Sequence, residues 1–96
     1  MHVTMWKNIP NFKIKKKADI ETFLNECLLK EEVYMIKCRS DYAIFIRTFK
    51  DRETQITVKY GNLRDIFNPE IQLSTQAEII KTLWFYRKKI NEQFFS

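Results

Sequence analysis

The chain contains one glycine, Gly61, and one histidine, His2, among its 96 residues. A single glycine excludes Gly-rich phosphate loops and dinucleotide fingerprints, which need several residues without a Cβ so that the backbone can approach phosphate. A single histidine near the start of the chain leaves no imidazole for a dyad or triad. With only Cys27 and Cys38 beside it, that histidine cannot complete a four-ligand structural zinc site. Both cysteines sit inside apolar patterns, which predicts buried, reduced thiols and a cytoplasmic protein rather than a disulfide. No apolar run approaches the ~20 residues of a membrane span, and the first residues lack the apolar segment of a secretory signal. Asp51 and Glu53 sit in a hairpin link, and Glu31 and Glu32 at a helix end, as solvated carboxylates and not as a clustered acid set. The expectation is a non-enzyme with no metal, no cofactor and no small-molecule substrate.

Acid is absent from one region only. Residues 1–17 carry Lys7, Lys13, Lys15, Lys16 and Lys17 and no Asp or Glu, so the whole formal excess of +5 lies there. The 12 acidic side chains all follow, matched in number by the remaining lysines and arginines. The chain thus reads as a basic extension, 1–17, on a neutral domain, 18–96. Met5, Trp6, Ile9, Phe12 and Ile14 interleave with the lysines, more apolar surface than a disordered tail carries. Pro10 opposes a helix there. Lys13, Lys15, Lys16 and Lys17 form a basic arm suited to a polyanion or an acidic partner, and the arm reads as removable with little loss of core.

The longest single-period stretch is Thr75 to Phe95. Thr75 and Glu78 have capping-box spacing. Ile79, Leu83, Tyr86, Ile90 and Phe94 then fall on one stripe at 100° per residue, which predicts one continuous amphipathic helix. Lys81, Lys88 and Lys89 fall on the other side, and Phe85 projects among them. An aromatic beside cations suits a protein interface or a nucleobase.

A second helix is predicted from an Asp19 N-cap to about Lys30–Glu32, with Ile20, Phe23, Leu24, Cys27 and Leu28 inward. The period then changes to two. Val33–Arg39, Tyr42–Phe49 and Gln55–Tyr60 read as three strands of an antiparallel meander joined by short polar links. Gly61-Asn62 closes the third strand, 63–67 reads as one helical turn, and 70–74 as a connection. The order α-β-β-β-α predicts a two-layer α+β sandwich with both helices on one face of the sheet.

The inward set is Tyr34, Ile36 and Cys38, then Tyr42, Ile44 and Ile46, then Ile56, Val58 and Tyr60. The opposite face then presents Lys37, Arg39, Arg47 and Lys59 among Phe45 and Phe49, a pattern that single-strand binders use for stacking and phosphate tracking. The bland alternative is that residues 1–17 cross this face and cover Phe45 and Phe49 with Trp6, Ile9 and Phe12.

The leading functional expectation is a small interaction protein, a regulator or inhibitor that docks on a larger, nucleic-acid-handling protein. Its contact residues are Phe85, Lys81, Lys88 and Lys89 on the last helix, with Lys37, Arg39, Phe45, Arg47 and Phe49 on the sheet. The Lys-, Ile-, Asn- and Phe-rich usage fits a phage or mobile element of AT-rich composition. The alternative is a nucleic-acid-binding module using the basic arm and outer sheet face, which the balanced charge beyond the arm weakens. A second copy of the chain is a further partner compatible with an exposed Phe85.

Overall fold

The structure is a computed structural model that describes residues 12–61 and 70–95. His2, Trp6 and Ile9 and the helical turn expected at 63–67 lie outside the described residues. The α+β architecture has four antiparallel strands in the order β1 (Val33–Arg39), β2 (Tyr42–Arg47), β3 (Gln55–Tyr60) and β4 (Glu70–Gln72). Helix α1 (Ala18–Thr22) precedes the sheet, and α2 (Gln76–Phe85) and α3 (Arg87–Phe94) follow it. The expected three-strand meander is present, and the segment read as a connection adds a fourth strand. β4 has weak intrinsic strand character, but Ile71 lies opposite Val58 and Gln72 opposite Thr57 on the neighbouring strand. Cross-strand pairing supplies what propensity does not.

The helices and the inward strand residues form one core. Ile20, Phe23, Cys27 and Leu28 meet Tyr34, Ile36, Ile44, Ile46, Ile56 and Val58 beneath Leu83, Ile90 and Phe94. Of the nine inward strand positions, Tyr60 alone stays exposed. Aromatic edges hold the centre: Phe23 lies 5.6 Å from Phe94 and 5.9 Å from Phe95 between ring centroids. Such pairs add about 0.5–1.5 kcal/mol each beyond their burial.

The first helix is shorter than its apolar pattern. After Thr22 it widens into a π-helical segment, Phe23–Cys27, and the chain is extended by Leu28. Phe23 and Cys27 of this segment and Leu28 beyond it are all buried. Asp19 is not the N-cap. It lies inside the helix, and its Oδ2 accepts from the backbone N–H of Lys15 and Lys16 at 2.8 and 3.0 Å. Those bonds hold its carboxyl below the usual range. The link into β1 is tied down as well. Thr48 Oγ1 donates to the Leu29 carbonyl at 2.6 Å and accepts from Glu32 N–H at 2.9 Å. Between those two contacts Glu31 adopts a left-handed φ of 58°, uncommon outside glycine.

The end of the basic arm packs on the helices, not across the outer sheet face. Ile14 is buried in the core, and Phe12 meets Phe95 edge-on at 5.0 Å. Deleting 13–17 would therefore remove a core residue along with the charge. The arm's electrostatics are separable from its packing only by substituting the exposed lysines.

Candidate docking surface

The final helix is broken where Phe85 stands. α2 ends at Phe85 and α3 begins at Arg87, with Tyr86 between them at φ −100° and ψ 21°. One amphipathic stripe runs through both pieces, so hydrophobic periodicity alone predicts continuity. Tyr86 has a tertiary reason to leave helical geometry, because its ring stacks on Tyr42 of β2 at 5.3 Å and 30°. Arg87 consolidates the break. Its guanidinium lies 4.1 Å from the Trp84 ring, and Nη1 donates to the Trp84 carbonyl at 3.0 Å. A side chain bonded to a carbonyl at a kink satisfies an acceptor that a regular helix would have used internally.

Three consecutive aromatics thereby take different positions. Trp84 and Tyr86 are half-buried against the core, whereas Phe85 is 74% exposed and touches the Tyr86 ring edge-on at 4.8 Å. Beside them lies a groove of about 760 Å³, lined by Tyr42, Leu73, Trp84, Phe85 and Tyr86. Lys81, Arg87, Lys88 and Glu78 also line it. Glu78 is engaged in the cap of α2: its N–H donates to Thr75 Oγ1 at 3.1 Å, and its carboxylate accepts from Ser74 N–H at 3.2 Å. The capping box therefore forms with the carboxylate reaching one residue further back than expected.

A β-bulge adds a fourth cation to this neighbourhood. The β1–β2 register runs from Val33 opposite Arg47 to Lys37 opposite Ala43, then shifts so that Arg39 opposes Tyr42. The extra residue re-aims the strand end, as bulges do. Arg39, expected on the outer face, instead places its guanidinium 5.5 Å from the Tyr42 ring and pairs with Asp41 at 3.0 Å. Tyr42 also meets Tyr60 edge-on at 4.8 Å. Burial pushes the Tyr42 and Tyr86 hydroxyls up, Tyr42 well beyond its ordinary value. Burial likewise raises the Cys38 thiol to about 11, with Lys89 and Arg39 partly opposing it.

The structure thus brings Phe85, Lys81 and Lys88 to one groove and adds Arg87, Trp84, Tyr86, Tyr42 and Leu73. Lys89 is exposed and lies toward Cys38. The outer-face residues form a separate surface of different character. Phe45, expected to project as a contact residue, is only 5% exposed, and Ala43, Thr57 and Lys59 are buried with it. Phe49 is half-buried with the Arg52 guanidinium 4.2 Å from its ring. Arg47 reaches Glu70 at 3.5 Å, while its Nε and Thr57 Oγ1 are buried without a hydrogen bond among the described residues.

Lys37 is exposed, and its backbone is gripped from α3: Gln93 Oε1 accepts from Lys37 N–H at 3.3 Å and Nε2 donates to the Lys37 carbonyl at 3.0 Å. Lys13, Lys15, Lys16 and Lys17 are all exposed. Among the described residues no helix is long and apolar enough to cross a membrane. Arg87 lines the groove next to the helix break, and the bulge carries Arg39 to the adjoining Tyr42 ring; neither device has a local signature in the chain.

No family model, curated protein or solved structure matches the chain.

Proposed function

We propose that this chain is a non-catalytic interaction protein, a regulator or inhibitor that docks on a larger protein through the Phe85 groove. The observation that carries the reading is the 74% exposure of Phe85 beside an apolar groove of about 760 Å³. Interface energy concentrates in a few aromatic and arginine side chains set in such concave surfaces. The arrangement of the three aromatics supports the reading, because Phe85 faces outward while its two neighbours pack inward. Composition suggests a phage or mobile-element origin, and the buried cysteine thiols suit a cytoplasmic setting.

The nucleic-acid alternative needs aromatics open for stacking on the outer sheet face. Burial of Phe45 weighs against it there, leaving the basic arm as its main support. The experiment is co-purification of tagged wild-type and Phe85→Ala chains from the native host, with nuclease treatment of each complex. The reading expects a protein that survives nuclease and is lost with Phe85→Ala. A partner released by nuclease, or one indifferent to Phe85, contradicts it.

A further inference from the structure

We infer that the groove's occupant is an acidic segment of a partner protein that inserts an apolar side chain beside Phe85. The inference rests on the docking reading above and deepens it by naming the partner's chemistry. The groove is lined by Lys81, Arg87 and Lys88, while Arg39, over the adjoining Tyr42 ring, is paired with Asp41 and adds little net charge. Among the described residues the one carboxylate lining it, Glu78, is held by the Ser74 N–H. The apolar surface of Trp84, Phe85, Tyr86 and Leu73 is therefore flanked by excess positive charge. Complementary potential is what selects a partner and suppresses wrong ones.

The same charges argue against three other occupants. Four aromatics around one groove resemble a cage for a quaternary ammonium, but Arg87 already stands 4.1 Å from the Trp84 ring, and a further cation would meet like charge. A second copy docking by two-fold symmetry would set this cationic patch against itself, because such interfaces are self-complementary. A nucleic-acid strand needs cations along a path for its successive phosphates. Here three cations line the groove among the described residues, and basic and acidic side chains balance beyond residue 17.

The test is selection from a displayed random-peptide library against the folded wild-type chain. Binders are then measured against Phe85→Ala, against the charge-reversed double variant Lys81→Glu/Lys88→Glu, and in competition with a single-stranded oligonucleotide. Circular dichroism checks that each variant is folded. The expected result is enrichment of peptides rich in Asp and Glu around one large apolar residue. Phe85→Ala should weaken these peptides by about thirty-fold. The charge reversal should weaken them by roughly tenfold, and the oligonucleotide should not displace them.

Peptides that depend on Phe85 but show no acidic bias and tolerate the charge reversal overturn this inference while leaving protein docking intact. Selection that yields no Phe85-dependent peptide overturns both. Displacement by the oligonucleotide, or concentration-dependent self-association abolished by Phe85→Ala, replaces the acidic segment with nucleic acid or a second copy and also overturns the inference.

Discussion

Asn91 grips the backbone of Ile14 with both ends of its side-chain amide: Oδ1 accepts from the Ile14 N–H at 2.9 Å and Nδ2 donates to the Ile14 carbonyl at 3.1 Å. The two residues are 77 positions apart. Gln93, two residues on, holds Lys37 at the open edge of β1 in the same two-point manner. α3 thus uses two amides as substitute strand neighbours, one for the incoming arm and one for the sheet edge. An edge strand presents unpaired backbone groups that favour unwanted pairing, and covering them is a known defence.

Asn91→Ala should therefore destabilise the fold by about 1–3 kcal/mol, since it leaves partly buried backbone groups without partners. Denaturant midpoints measure it. Limited proteolysis should show faster cleavage around 12–17 in the variant. An unchanged midpoint and cleavage pattern would mean that solvent replaces the amide without loss, and the arm would not be docked by this contact.

Leu83→Ala and Ile90→Ala should each cost about 2–5 kcal/mol, as large-to-small changes at fully buried sites do. Phe85→Ala should change stability by less than about 1 kcal/mol, because its ring is mostly in solvent. Equal losses at Leu83 and Phe85 would place Phe85 in the core and remove it as an anchor.

Cys38 gives a pH dependence whose sign is fixed. Burial raises its thiol from 9.0 to about 11 in the folded chain, so the folded state retains a proton that the unfolded state releases. Its effect is absent below the unfolded value, and stability falls as pH rises from about 9 towards 11. Tyr42 and Tyr86, also raised by burial, extend the fall to higher pH. Thermal melts across this window should show Cys38→Ala losing less stability than wild type. The thiol should also react slowly with a labelling reagent at neutral pH, since the thiolate is the reactive form. Rapid labelling without denaturant would contradict the burial.

Neutralising the arm by Lys13→Gln, Lys15→Gln, Lys16→Gln and Lys17→Gln preserves Ile14 and tests electrostatics alone. If docking is the function, oligonucleotide binding is weak even at low salt, and the quadruple variant folds and docks nearly as well as wild type. Tight oligonucleotide binding, with a log–log salt slope of roughly 0.7–0.9 per phosphate that the variant flattens, would favour the nucleic-acid reading.

Periodicity and strand propensity carried most of the fold: the three long strands form, eight of the nine inward strand positions are buried, and the apolar stripes of both helical regions are buried except for the half-buried Leu24, Ile79 and Tyr86. Phe85 was legible because it breaks the stripe among Lys81, Lys88 and Lys89. What was not legible depends on contacts between distant residues. Tyr86 interrupts a continuous pattern to stack on Tyr42, a bulge carries Arg39 off the outer face, and β4 forms because β3 offers it a partner. The amide grips of Asn91 and Gln93 look in sequence like ordinary polar positions on an exposed helix face. Phe45 alternates correctly with the core residues, but alternation says which face it occupies and not whether that face is open.

Phe85, exposed beside the break at Tyr86, is proposed to anchor a protein partner. Its most direct test compares nuclease-treated co-purification from the native host with wild type, Phe85→Ala and the arm-neutralised variant side by side. One protein partner should be retained by wild type and by the arm variant, and lost from Phe85→Ala with the fold intact. Retention by Phe85→Ala, or loss of the partner on nuclease treatment, would contradict it.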